Sequence, residues 1–122
     1  MTFKNTILVV DDESCVRKLC QRILQRMDHE YLEASTGKDG LRLMMEHTEI
    51  VDAIFMDINL PDGPGNEWAH KIREIRSDIP IIFFSGSNSP EFCGPQNTNN
   101  FSFVKKPFIP KSIQAALEQV LV

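Results

Sequence analysis

Three aspartates that follow runs of apolar residues are the strongest chemical signal in this chain. Asp11 and Asp12 come directly after the apolar and β-branched run Thr6–Val10, and Asp57 ends a second run, Val51–Met56. Carboxylates brought together in one crevice repel one another and raise one another's pKa unless a cation lies among them. Oxygen ligands of this kind suit Mg²⁺, which also binds phosphate oxygens. The pattern therefore predicts a metal-dependent phosphate site.

The elements that would position these aspartates can be predicted from hydrophobic periodicity. Five short segments are predicted strands, of which the first is an apolar run typical of a buried strand; they are Thr6–Val10, Glu30–Ala34, Val51–Met56, Ile81–Phe84 and Phe101–Val104. Between and after them, apolar residues recur at the three- and four-residue spacing of amphipathic helices. Strands that alternate with helices favour a parallel sheet with helices on both faces. We expect one α/β domain spanning residues 1–122.

Start signals mark three of the predicted helices. Thr36 is expected to cap a helix carrying Leu41, with Asp39 three residues after the cap. Asn66 is expected to cap the helix whose apolar face includes Trp68, Ile72 and Ile75. Pro110 suits the first turn of the last helix.

Polar residues follow four of the predicted strands at the point where each strand ends. Open parallel sheets bind ligands beyond the carboxyl ends of their strands. Asp11, Asp12, Asp57, Ser85 and Lys106 all lie at or just after such ends. The sequence therefore predicts that these residues converge on one edge of the sheet.

Composition narrows the class of protein. The chain has 122 residues, of which 42% are hydrophobic and 25% charged, as is usual for a globular domain. A net charge of −4 and the lack of a Lys/Arg block argue against direct nucleic-acid binding. No secretory signal pattern or membrane-length apolar run is present, so we expect no membrane association. Cys15, Cys20 and Cys93 have no metal-binding spacing, and we expect free thiols in the cytoplasm.

An ordered set of motifs covers essentially the whole chain. Asp11-Asp12 follows the first strand, Asp57 the third and Ser85-Gly86 the fourth, and Lys106-Pro107-Phe108 follows the fifth. Pro61 and Gly65 stand in the loop after Asp57. In this set the chain resembles the receiver domain of two-component response regulators, including the chemotaxis-type regulators.

The resemblance implies a fold and a function. The implied fold is a flavodoxin-like, doubly wound, five-stranded parallel sheet with strand order 2-1-3-4-5. The implied function is that of a phosphoacceptor, which receives a phosphoryl group from a phosphohistidine on a histidine kinase or phosphotransfer protein. Such a domain is not a turnover enzyme on an external substrate, although it promotes its own phosphorylation and autodephosphorylation. It signals to a downstream protein target, which the sequence does not identify.

The resemblance also implies roles for the acidic residues. Asp57 would be the nucleophile that becomes an acyl phosphate. Asp12 and Asp57 would bind Mg²⁺ directly and Asp11 through water, and the backbone carbonyl of Asn59 would be a further ligand. An ionised aspartate is already a competent nucleophile, so this chemistry requires no histidine base.

Three further residues would respond to the phosphate. Ser85 would donate its hydroxyl to a phosphoryl oxygen, and Lys106 would hold the phosphate as a point charge. Phe103, three residues before Lys106, stands at the family's aromatic switch position and would follow Ser85 inward. The resemblance thus implies a two-state equilibrium that phosphorylation shifts.

One segment departs from the family pattern. A regular fourth helix is expected within residues 87–100, but Pro90, Gly94 and Pro95 are poor residues for a helix interior. We predict an irregular or shortened fourth helix. The family's common dimer, which uses that helix, is therefore in doubt.

Two other classes of protein compete with the receiver hypothesis. A small haloacid-dehalogenase-like phosphatase also uses Mg²⁺ and aspartyl phosphate, but it requires Asp-x-Asp after the first strand, whereas Asp11 and Asp12 are adjacent. A pseudo-receiver, which only binds partners, would normally have lost one of the site residues, and none is missing. Whether the domain acts alone or belongs to a larger regulator or hybrid kinase stays open.

Overall fold

The computed structural model describes residues 4–85, 101–105 and 110–121. Strands and helices alternate along these residues, as the hydrophobic periodicity predicts. The elements are β1 (Thr6–Val10), α1 (Ser14–Arg26), β2 (Glu30–Ala34), α2 (Gly37–Glu46), β3 (Val51–Asp57), β4 (Asn59–Leu60), β5 (Gly63–Pro64), α3 (Gly65–Ile75), β6 (Ile81–Ser85), β7 (Phe101–Lys105) and α4 (Pro110–Val120).

Five of the strands form one sheet in the order β2-β1-β3-β6-β7, and all neighbouring strands are parallel. Counted along the chain without the short hairpin β4–β5, this is the predicted order 2-1-3-4-5, which is confirmed. The hairpin was not predicted. Because β1 lies beside β3 with Val10 opposite Met56, the residues after each strand emerge next to each other.

Alternate residues of the strands pack on opposite faces of the sheet. Ile7, Val9 and Phe55 pack with α1 and α4 on one face, whereas Leu8 and Met56 pack with α2 and α3 on the other. Phe55 stacks on Phe84 with 4.9 Å between ring centroids. Helices therefore cover both faces, and most residues of β1 and β3 are buried.

The start of α3 differs from the prediction. Asn66 lies inside the helix, which begins at Gly65 after the N-cap residue Pro64. The Gly65 N–H donates a hydrogen bond to the carbonyl oxygen of Ile58 (2.7 Å), which draws the first turn back towards β3. The predicted apolar face is also wrong at its last position, because Ile75 at the end of α3 is exposed.

Part of the prediction concerns residues beyond those described. The irregular fourth helix predicted within residues 87–100 lies outside the described residues, as do Cys93 and Lys106. Among the residues that the structure describes, none of the helices is long and apolar enough to cross a membrane.

Candidate metal centre

Four carboxylates meet where β1 and β3 end. Oxygen atoms of Asp11, Asp12, Glu13 and Asp57 all lie within 4.8 Å of one another. Asp11 and Asp57 are buried, whereas Asp12 and Glu13 are exposed, so the cluster opens to solvent on one side. The structure thus brings together the three predicted aspartates and adds Glu13.

Backbone hydrogen bonds fix the acidic loop after β1. The Asp11 N–H donates to the carbonyl oxygen of Ala34 (3.0 Å), which extends the pairing of β1 with β2 by one step. The Asp11 side chain turns back along the loop, and its Oδ1 accepts the Glu13 N–H at 2.9 Å. The Asp11 carbonyl accepts a hydrogen bond from the Arg17 guanidinium at 2.7 Å. The first carboxylate is therefore oriented from within its own loop.

Asp57 is held in a similar way at the end of β3. The Asn59 N–H donates to Asp57 Oδ1 at 3.1 Å. The Ile58 N–H donates to the carbonyl oxygen of Phe84 on β6 (3.1 Å), which continues the sheet past Asp57. Asp57 is only 4% exposed, so a reagent must approach its carboxylate from the open side of the cluster.

An open groove of about 720 Å³ lies beside this cluster. Asp12 forms part of its wall, and the rest comes from Ile58, the β4–β5 hairpin and the start of α3. Asn59, whose carbonyl is a predicted metal ligand, is exposed in this groove. The groove therefore adjoins the acidic cluster at Asp12.

Asp62 ties the hairpin to a neighbouring helix. Its two carboxylate oxygens accept the N–H groups of Gly37 and Lys38, each at 2.9 Å. Thr36 Oγ1 accepts the Asp39 N–H at 3.1 Å, which confirms Thr36 as an N-cap. The first three N–H groups of α2, which have no partner within the helix, are thus all satisfied.

Two further predicted site residues, Ser85 and Phe103, belong to the last two strands of the sheet, whereas Lys106 lies outside the described residues. Ser85 ends β6 opposite Lys105, and Phe103 lies opposite Phe83. This pairing gives the backbone positions of Ser85 and Phe103. Ser85 follows Phe84, which pairs with Asp57, so β6 ends at the same edge of the sheet as β3.

Sequence reasoning missed three residues that contact the site or its loops. Glu13 was visible as the third acidic residue after β1, and its adjacency to the two aspartates was a usable signal. Asp62 precedes a glycine in a turn, which predicts a loop but not its contact with α2. Arg17 carries no sequence signal, because its bond to Asp11 depends on the angle at which α1 leaves the loop.

The donor set is compatible with one particular class of metal ion. All four side chains offer carboxylate oxygens, and two remain exposed where water can complete a coordination shell. Hard oxygen donors with room for water are what Mg²⁺ requires. The residues at the site therefore fit a hydrated Mg²⁺ ion.

Fold and site together define a flavodoxin-like α/β protein with an acidic pocket at the carboxyl edge of its sheet. The family model for the response regulator receiver domain matches residues 7–118. The chain belongs to this family. Receiver domains are phosphoacceptor signalling modules of two-component systems, bind Mg²⁺ at an acidic pocket and interact with histidine kinases or phosphotransfer proteins.

Two relatives agree with this assignment. The chain is 32% identical over 120 residues to a probable transcriptional regulator, ycf27, of Guillardia theta, covering 97% of this chain and 46% of that protein. It is 31% identical over 117 residues to the sensor kinase CckA of Brucella abortus, covering 95% of this chain and 12% of that protein. The chain therefore spans half or less of the length of these two relatives.

Solved structures show the same fold. The receiver domain of the hybrid histidine kinase CckA has a TM-score of 0.83 and is 27% identical to this chain. The match covers 97% of this chain and 100% of that one. A receiver domain protein from Clostridium thermocellum has a TM-score of 0.87 at 23% identity, over 96% of this chain and 94% of that one. The latter likeness concerns the fold alone.

Proposed function

We propose that this domain accepts a phosphoryl group on Asp57, in a Mg²⁺-dependent transfer from a phosphohistidine on a partner kinase or phosphotransfer protein. The observation that carries the proposal is the meeting of Asp11, Asp12 and Glu13 with the buried Asp57 at the end of β3. Family membership supports the phosphoacceptor chemistry, and the geometry supports Asp57 as the acceptor.

Asp57 is the nucleophile in this proposal. A carboxylate oxygen attacks the phosphorus atom, the P–N bond of the phosphohistidine breaks, and its electron pair remains on the imidazole nitrogen. The Asn59 N–H bond to Asp57 Oδ1 holds the carboxylate in one orientation. Such positioning supplies much of the acceleration in phosphoryl transfer, which needs little covalent help from the protein.

The acidic cluster would hold the metal ion. Asp12 and Asp57 would bind it directly, Asp11 through water, and Asn59 through its backbone carbonyl. When bound, Mg²⁺ supplies positive charge that offsets the negative charge concentrated by the carboxylates and the incoming phosphoryl group. The exposed position of Asp12 leaves that side of the site open to the phosphoryl donor.

Ser85, Lys106 and Phe103 would act after transfer. In this proposal Ser85 donates its hydroxyl to a phosphoryl oxygen, Lys106 pairs with the phosphate, and Phe103 turns into the space that Ser85 leaves. The domain then shifts between two conformations that a downstream protein distinguishes. Its proposed place is the cytoplasm, and its proposed partners are proteins rather than nucleic acid or membrane.

Intact-mass measurement tests the proposal. The protein is incubated with acetyl phosphate, with Mg²⁺ or with EDTA, as wild type, as Asp57→Asn and as Asp52→Asn. Asp52 is a matched control, because it lies on the same strand and its carboxylate accepts the Thr6 N–H at 2.8 Å, away from the cluster.

The expected result is the mass of one added phosphoryl group in the wild type and in Asp52→Asn, only with Mg²⁺, and none in Asp57→Asn. Absence of any gain in the wild type, with Mg²⁺ binding still detected, would contradict the proposal and favour a pseudo-receiver.

A further inference from the structure

Arg17 connects the acidic loop to two elements of the fold. It lies in the first turns of α1, and its side chain is only 16% exposed. One guanidinium nitrogen donates to the carbonyl oxygen of Asp11 at 2.7 Å. Its Nε lies 3.4 Å from Oε1 of Glu33 on β2. The planar guanidinium thus contacts a backbone oxygen of the site and a carboxylate of the neighbouring strand at the same time.

This contact completes the fixation of the Asp11 peptide groups. The Asp11 N–H is already bonded to Ala34, and the Asp11 carboxylate to the Glu13 N–H. Arg17 holds the Asp11 carbonyl group, through which the chain continues to Asp12. The backbone that leads into Asp12 and Glu13 is therefore held at both the N–H and the carbonyl of Asp11. The side chains of Asp12 and Glu13 are nevertheless exposed.

A tyrosine supports the arginine from the edge of the sheet. The Tyr31 hydroxyl lies 2.7 Å from Oε2 of Glu33 and 2.9 Å from the carbonyl oxygen of Arg17. Burial and the bond to Glu33 raise the pKa of Tyr31 above its usual range, so the hydroxyl keeps its proton and can donate it. Glu33 is thus oriented towards Arg17 by a second contact.

We propose that Arg17 is a positioning residue of the phosphoacceptor site, which fixes the Asp11 carbonyl and through it the geometry of the Asp11–Glu13 carboxylates. The inference rests on the proposed function and adds to it a residue that contacts neither metal nor phosphate. Partners that orient metal ligands typically change metal affinity by a factor of about ten or more when they are removed.

The direction of the effect separates positioning from simple electrostatics. Removing a positive charge near four carboxylates, with Glu33 left behind, makes the region more negative and on electrostatic grounds strengthens Mg²⁺ binding. Loss of position has the opposite effect, because the carboxylates must then be ordered when the ion binds. A fall in affinity on loss of Arg17 therefore identifies the positioning role.

The test compares Arg17→Met with Arg22→Met, which removes the same charge from an exposed position of the same helix. Two quantities are measured by NMR on the full chain. One is Mg²⁺ affinity by chemical-shift titration, and the other is the amide exchange rate of Glu13 in metal-free protein. Arg17→Lys is a second variant, which keeps the charge but lacks the planar fork.

For Arg17→Met we expect Mg²⁺ affinity to fall about tenfold and Glu13 exchange to accelerate, with neither change in Arg22→Met. Arg17→Lys should recover only part of both quantities. Unchanged or stronger Mg²⁺ binding, or unaltered Glu13 exchange, would overturn the inference. If the wild type binds no Mg²⁺, the proposed function fails, and the exchange rate alone decides whether Arg17 positions the loop.

Discussion

The backbone of Gly65 lies so close to the carbonyl group of Asp57 that a β-carbon at residue 65 would overlap the Asp57 oxygen. Gly65 is the first residue of α3, and Asp57 is the last residue of β3. The helix therefore starts in contact with the backbone of the proposed phosphoacceptor. Any side chain at residue 65 must displace either the helix or the acceptor.

Gly65→Ala should therefore destabilise the domain by about 1–3 kcal/mol, because the added methyl group meets backbone atoms that cannot rotate away. Urea unfolding measures the loss. Gly40→Ala is the matched control, since its β-carbon would meet a methyl group of the Val10 side chain rather than backbone atoms, and alanine favours the helix at that position. An equal or larger loss in Gly40→Ala would contradict this explanation.

Asp62→Ala should lower the free energy of unfolding by about 1 kcal/mol, as the removal of a helix N-cap usually does. The physical reason is that Gly37 and Lys38 lose the carboxylate that accepts their N–H groups. Asp62→Asn keeps one acceptor oxygen but no charge, and should recover part of the loss. Thermal unfolding should rank the three proteins, from most to least stable, as wild type, Asp62→Asn and Asp62→Ala. If Asp62→Ala is as stable as the wild type, the hydrogen bonds to Asp62 contribute nothing to stability.

Asp28→Gly should stabilise the domain by about 0.5–1 kcal/mol. Asp28, which follows the C-cap residue Met27 of α1, has a φ of 62°. Its N–H donates to the carbonyl oxygen of Gln25, and the N–H of His29 donates to that of Leu24. This is a Schellman motif, in which the left-handed position favours glycine. The change also removes a negative charge from the carboxyl end of a helix. Chemical denaturation checks the shift, and a destabilised variant would contradict it.

His29 should make stability depend on pH. Burial lowers the pKa of His29 below its usual 6.5, partly offset by Asp52 and Asp28. Its Nδ1 accepts the Asn5 N–H at 3.1 Å, which requires that nitrogen to be unprotonated. The unfolded chain therefore takes up a proton at higher pH than the native state. The stability that neutral His29 contributes is therefore fully present above pH 6.5, and it is lost as the pH drops through and below that value.

Urea midpoints of the wild type and His29→Gln, measured between pH 5 and 8, should converge as the pH falls. His70→Gln, at an exposed position of α3, serves as the control and should track the wild type at every pH. A difference between wild type and His29→Gln that is constant with pH would rule out a contribution from protonation of His29.

Sequence periodicity predicted the alternation of strands and helices and the edge at which the aspartates meet, because strand ends and buried faces are local features. The strand order of the sheet came instead from the resemblance to receiver domains. The start of α3 was mispredicted at Asn66, because the close contact of Gly65 with Asp57 joins residues from two separate elements. The role of Asp62 was missed for the same reason, since its N–H partners lie 24 and 25 residues away. Contacts between residues of different elements therefore cannot be predicted from local sequence patterns.

The central claim is that Asp57 carries the phosphoryl group, and chemical trapping locates that group most directly. Borohydride reduces an aspartyl phosphate to homoserine, and peptide mass spectrometry then identifies the converted residue. After phosphorylation with acetyl phosphate and Mg²⁺, we expect homoserine at position 57 and intact aspartate at Asp11 and Asp12. Homoserine at position 11 or 12, or a phosphorylated protein with unconverted Asp57, would contradict the account.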